Sequence, residues 1–204
     1  MSDQEIEVKF YITDLARIRE RLEALDARLV QPRVLETNLR FDTPDQELAR
    51  TYRVLRLRQD TEARLTFKGP AQSSEGARIR QEIEFTVEDF DRARAFLEAL
   101  GYRLTLAYEK YRMVYDLDRV HVTLDGMPYG DFVELEGPDV PALQLVNGKL
   151  DLDWEAGVPA SYTVLFEQLK AKLNLSFRDL TFENFRDVPV TAADLGVRPA
   201  DRSE

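Results

Sequence analysis

Glu5, Glu7 and Lys9 stand two residues apart near the start of the chain, and in an extended strand such residues share a face. Their side chains point one way while Ile6, Val8 and Phe10 point the other. Carboxylates spaced like this suit hard divalent cations, and an ammonium beside them suits an anionic oxygen. A single strand of this kind is an ordinary amphipathic edge with its charged side in water. The pattern recurs, however. Arg56 and Arg58 alternate with Leu55 and Leu57, Arg64 and Lys68 lie opposite Leu65 and Phe67, and Arg78, Arg80, Glu82 and Glu84 lie opposite Ile79, Ile83 and Phe85. Lys110 and Arg112 oppose Tyr111 and Met113, Asp125 opposes Leu124, and Glu134 and Glu136 oppose Val133 and Leu135. If this ionic face is enclosed, confining both signs of charge is expensive unless something bridges them. A polyanion carrying divalent cations would do so, with Arg and Lys on phosphate oxygens and clustered carboxylates on the cations. The competing arrangement is an open sheet whose ionic face is solvated, crossed by salt bridges worth little each.

The alternation places strands over Glu5–Tyr11, Leu55–Arg58, Arg64–Lys68, Arg78–Phe85, Tyr111–Tyr115, Val120–Asp125 and Phe132–Glu136. Many short strands with turn signals between them read as an antiparallel sheet or barrel. Two segments carry helical spacing instead: Leu15, Ile18, Leu22 and Leu25, then Phe90, Ala93, Leu97 and Leu100. Their apolar stripes need the apolar side of the sheet, which leaves the ionic side as a separate surface, and as a lumen if the sheet closes. Asp14-Leu15 through Leu22-Glu23-Ala24-Leu25 matches Asp89-Phe90 through Leu97-Glu98-Ala99-Leu100, each followed by an Arg-Leu pair. Glu5-Ile6-Glu7 is echoed by Glu82-Ile83-Glu84, so the chain reads as a duplicated β-α-β unit, against the alternative of chance similarity between amphipathic helices. Strand alternation stops at Gly137-Pro138. Residues 140–149 fit a short helix, Ser161 caps an amphipathic helix carrying Tyr162, Leu165, Phe166, Leu169 and Leu173, and an irregular or frayed tail is expected from Arg186 on.

Composition narrows the chemistry. The 204 residues contain no cysteine and one histidine, His121, which excludes disulfides, thiolate sites and multi-histidine metal cages. Any metal must be held by oxygen, which suits Mg²⁺ or Mn²⁺. A net charge of −10 argues against a nucleic acid polymer as partner. No apolar run approaches the roughly 20 residues that cross a bilayer, and Met1-Ser2-Asp3-Gln4-Glu5 lacks a secretory signal, so no membrane is expected and the expected location is cytoplasmic.

The ordered set Glu5-x-Glu7-x-Lys9, Phe41-Asp42-Thr43-Pro44, Leu55-Arg56-Leu57-Arg58, Thr66-Phe67-Lys68-Gly69-Pro70 and Arg80-Gln81-Glu82-Ile83-Glu84 resembles the CYTH superfamily of triphosphate tunnel metalloenzymes. Glu109-Lys110-Tyr111-Arg112, Leu124-Asp125 and Phe132-Val133-Glu134-Leu135-Glu136 complete the series. The resemblance implies an α+β fold, a closed eight-stranded antiparallel tunnel with helices outside, spanning residues 1–175 and followed by a tail, 176–204, of unassigned role. It implies metal-side carboxylates at Glu5, Glu7, Asp125, Glu134 and Glu136, and phosphate-binding bases at Lys9, Arg56, Arg58, Lys68, Lys110 and Arg112. Arg80, Glu82 and Glu84 match further substrate positions, and Glu5, Glu7 and Lys9 form the expected catalytic set. It further implies a Mg²⁺- or Mn²⁺-dependent enzyme acting on a small-molecule triphosphate: tripolyphosphate, thiamine triphosphate or ATP. Hydrolysis is the favoured reaction, with a class IV adenylyl cyclase and a non-catalytic polyphosphate or nucleotide binding module as alternatives. Two points depart from this frame or stand outside it. Arg40 stands where many members carry an aromatic residue, and His121 has lumen-facing parity but reads more simply as structural. Barrels of this type resemble known homodimers, although no exposed apolar stripe demands one here.

Overall fold

The computed structural model describes residues 4–201, with side chains described from Ile6 onward. The strands are β1 (Gln4–Ile12), β2 (Arg28–Asp42), β3 (Val54–Gln59), β4 (Ala63–Lys68), β5 (Gln72–Ser74), β6 (Ala77–Val87), β7 (Arg103–Leu117), β8 (Val120–Met127) and β9 (Gly130–Glu136). The helices are α1 (Leu15–Ala24), α2 (Glu47–Arg50), α3 (Phe90–Ala99), α4 (Val140–Lys149), α5 (Tyr162–Leu173) and α6 (Ala192–Leu195). The strand order is β1-β9-β8-β7-β2-β3-β4-β6, and β6 pairs back onto β1, closing an antiparallel ring. The short β5 continues the line of β4 along the same edge of β6, since Lys68 pairs with Glu82 and Gln72 with Ile79. The ring therefore has eight staves, as the resemblance implies.

The two β-α-β units correspond. In α1 the Asp14 side chain accepts from the Arg17 N–H, and in α3 Asp89 accepts from Arg92 in the same way, so both helices begin on an Asp cap and run for 10 residues. Alternation sends the apolar side of each strand outward. Val8, Phe10 and Ile12 of β1 pack with Ile18 and Leu22 of α1 and with Leu143 and Val146 of α4. Leu39, Phe41 and Leu57 pack with Leu97 of α3. Cover is uneven: α3 lies over β3 and β7, so Ile83 and Phe85 of β6 stay exposed, as do Phe96 and Leu100.

Helix α5 lies across one end of the ring, where Tyr162, Leu165, Phe166 and Leu169 meet Leu106, Tyr108, Tyr129 and Phe132. Residues 176–201 brace this plug; the stretch from Arg186 on is largely irregular, as one of the two expectations had it, but it is packed rather than frayed. Leu180, Phe185 and Leu195 are buried against it, and Leu180 and Pro199 bridge to Tyr108 and Tyr11. The far end is fastened by Asp201, whose carboxylate accepts from the Thr13 and Asp14 N–H groups and from the Thr13 hydroxyl. No described helix is long and apolar enough to cross a membrane.

Candidate active site in the lumen

The polar sides of the eight staves enclose a cavity of about 1370 Å³. Strand order sorts its charges. Glu7, Glu134, Glu136 and Asp125 lie on the contiguous arc β1-β9-β8, and Lys110, Arg112, Arg56, Arg58 and Lys68 on the arc β7-β2-β3-β4. Strand β6 carries both signs, Arg78 and Arg80 followed by Glu82 and Glu84.

Arg112 ties the two arcs together. Its Nε and Nη2 donate to Asp125 Oδ1 and Oδ2 at 2.7 and 2.6 Å, and Nη2 also reaches Glu134 Oε2 at 2.7 Å. Asp125, fully buried, takes further bonds from Lys110 Nζ at 3.0 Å and from the Tyr162 hydroxyl at 2.9 Å. Lys9 Nζ sits 3.3 Å from Glu134 Oε1 and 4.1 Å above the Tyr162 ring, a cation-π contact made by the plug helix. Across the lumen, Glu84 accepts from Arg58 at 2.9 Å, Arg56 at 3.3 Å and the Thr66 hydroxyl at 2.7 Å. Lys68 Nζ lies 2.9 Å from Glu82 Oε2, while Arg78 and Arg80 both donate to Glu7 Oε1.

The field of this network keeps Glu134 and Glu84 ionised. Burial alone would raise the Glu134 carboxyl, but Lys9 and then Arg112 overcome it and hold the group well below the usual range. Glu84 behaves the same way between Arg58 and Arg56. Burial and the adjacent Asp125 push the Tyr162 phenol well up, so it remains a donor. Tyr108 goes the other way: Arg56 and Lys110 outweigh burial and draw its phenol below the usual value.

The expected residues Glu7, Lys9, Arg56, Arg58, Lys68, Arg80, Glu82, Glu84, Lys110, Arg112, Glu134 and Glu136 all line this cavity, and Asp125 is bonded into its wall. The Glu5 side chain lies outside the described residues, although its backbone pairs with Arg80 two positions from the Glu7–Arg78 pair. His121 is exposed at the rim and bonds to Asp116.

Sequence reasoning missed Glu36 and Asn38 of β2. Glu36 is fully buried and accepts from Asn38 Nδ2 at 2.9 Å, with Lys110 at 3.5 Å and Arg58 at 3.6 Å. Burial opposes its charge, yet Lys110, Arg112 and Arg58 together hold its carboxyl far below the usual range. It is the counter-ion of the basic arc. The alternation of Glu36, Asn38 and Arg40 with Thr37, Leu39 and Phe41 was the signal that could have found them.

The CYTH domain family model matches residues 3–145. The chain belongs to the CYTH family. Adenylate cyclase CyaB of Aeromonas hydrophila is 30% identical over 187 residues, covering 89% of this chain and 86% of that one. Among solved structures, the PH1819 protein of Pyrococcus horikoshii superposes with a TM-score of 0.67 at 26% identity, covering 80% of this chain and 98% of its own. HpAC1 of Hippeastrum, a protein with a dominant triphosphatase activity, shares the fold with a TM-score of 0.62 at 20% identity, over 80% of this chain and 95% of that one.

Whether this CYTH lumen suits a divalent cation can be judged from its donors. Among the described residues no three carboxylates or imidazoles converge as a ready-made site. The donors are nevertheless all hard oxygens, and Glu7 and Glu136 are direct cross-strand neighbours on the acidic arc. That pair, with Glu5 two positions from Glu7 on the same strand, fits Mg²⁺ or Mn²⁺ chemically.

Proposed function

We propose that the chain is a divalent-cation-dependent triphosphatase that binds the triphosphate of tripolyphosphate, thiamine triphosphate or a nucleoside triphosphate in its lumen. The observation that carries this reading is the enclosed ring in which a basic arc faces an acidic one, with each of its expected bases held by a carboxylate. A polyphosphate entering this ring exchanges those carboxylates for phosphate oxygens. Arg112 and Arg56 present planar forks suited to bidentate contact, and Lys110, Lys68 and Lys9 act as point charges. Glu7, Glu134 and Asp125, released from the bases, would hold Mg²⁺ or Mn²⁺ together with Glu136 and Glu5. The cation, when bound, supplies offset of the charge that builds on the phosphate oxygens. Lys9 and Tyr162 fix one end of the chain, and the plug of α5 restricts water to the remaining approach. Glu134 and Glu84, kept ionised by their neighbours, are available to orient a water but are poor bases.

Hydrolysis needs only a positioned water, whereas cyclisation also needs an oriented ribose, and the contacts described are all suited to phosphate. The similarity to CyaB of Aeromonas hydrophila favours adenylyl cyclase as the second reading. A non-catalytic binding module gains nothing from so many carboxylates. Purified protein incubated with tripolyphosphate, thiamine triphosphate and ATP under Mg²⁺ or Mn²⁺, with orthophosphate, pyrophosphate and cyclic AMP measured separately, distinguishes the three. Orthophosphate is the expected product. Cyclic AMP with stoichiometric pyrophosphate would establish the cyclase, and tight binding without turnover the module.

A further inference from the structure

One cation in the lumen wall does not follow the pairing rule. Arg40 of β2 is half-buried, lines the cavity, and donates from Nη1 to Thr163 Oγ1 at 2.7 Å. No carboxylate of a described residue lies within ion-pair distance of it, whereas Arg56, Arg58, Lys68, Lys110 and Arg112 each have one. Asp42, two positions along the strand, is already committed to the N–H groups of Thr43, Leu48 and Ala49. Register makes the situation worse, because Arg40 is the direct cross-strand neighbour of Arg56, and like charges so placed repel. Burial, together with Arg56 and Arg80, lowers the Arg40 guanidinium pKa, and Tyr108 and Asp42 only partly oppose this. Around this uncompensated charge lie two hydroxyls from the start of α5, Ser161 and Thr163, 3.1 Å apart and both on the cavity wall. Thr163 Oγ1 already accepts from Arg40, so its own proton is free to point at Ser161 or at a ligand.

We propose that Arg40, Ser161 and Thr163 form an anion subsite at the α5 end of the lumen that takes a phosphate beyond the third of a linear chain. This rests on the lumen reading above and extends it: the preferred substrate class is one with an anionic group past its triphosphate. The paired bases hold three phosphates, each of which must displace a carboxylate. The Arg40 subsite has none to displace, so a fourth phosphate gains a charge-assisted contact and relieves the repulsion with Arg56.

The test is calorimetric binding of inorganic tripolyphosphate and linear tetrapolyphosphate to the full chain in chelator, where no turnover intervenes. Wild-type protein is expected to bind the four-phosphate chain at least roughly tenfold more tightly. Arg40→Gln is expected to remove that preference while leaving tripolyphosphate affinity within about twofold, and to fold at least as stably because a like-charge pair is lost. Thr163→Val, which keeps Arg40 and removes the hydroxyl, should reduce the preference part of the way. Equal wild-type affinity for the two chains overturns the subsite alone, as does an Arg40→Gln variant weakened equally for both. Binding of neither chain, in chelator or with Ca²⁺ supplied in its place, overturns the lumen assignment and the subsite with it.

Discussion

Replacing Arg112 by alanine is expected to cost about 3–5 kcal/mol of folding stability, because it leaves buried carboxylates without their main counter-charge. Asp125 and Glu36 are both fully buried, and among the described residues Arg112 is the one side chain that reaches Asp125, Glu134 and Glu36 together. Lys110 and Lys9 remain as partners for Asp125 and Glu134, but neither can supply the two parallel bonds that Arg112 makes. A domain of this kind commands only about 5–15 kcal/mol in total, so the loss is a large fraction of it. Arg112→Lys keeps the charge without the fork and should recover part of the stability while still binding tripolyphosphate poorly. Urea denaturation of the three proteins measures this directly. An alanine variant within about 1 kcal/mol of wild type would mean that the pairs are screened by water, as on an open sheet.

Glu7→Gln is expected to lower turnover on the order of a hundredfold while leaving the protein folded. Glutamine fills the same space and can still accept from Arg78 and Arg80, so the wall between β1 and β6 survives. What is lost is a negative charge beside Glu136, on the arc proposed to hold the cation. The loss should therefore ease as Mn²⁺ is raised, appearing as a higher half-saturating concentration in a titration of activity against metal. Unchanged turnover at limiting Mn²⁺, or a defect that no amount of metal relieves, would remove Glu7 from the cation site.

Period-two alternation made the lumen legible because every side chain on one face of a strand shares its environment. Lys110, Arg112, Glu134 and Lys9 were thus found without any knowledge of the ring. Strand β2 escaped because Pro32 and register shifts between Leu29 and Val34 break the alternation in its first half. With it went Glu36, the carboxylate on which the basic arc leans. The closing segment escaped for a different reason. Leu180, Phe185 and Leu195 have no common period, since the chain there follows the curved surface of α5 and the ring edge, and only the folded surface tells them apart from a frayed tail. The pairing of bases with acids was likewise invisible. Spacing shows which face a charge occupies, and only strand order shows which charge lies beside it.

The central claim is that the lumen is the triphosphate site. A crystal structure of the protein soaked with tripolyphosphate and Mn²⁺, with the metal located by its anomalous signal, tests it most directly. The phosphate chain should lie inside the ring against Arg56, Lys110 and Arg112, with Mn²⁺ beside Glu7 and Glu136 and the Arg112–Asp125 bonds exchanged for phosphate oxygens. A chain bound outside the ring, with every lumen ion pair intact, would contradict the account.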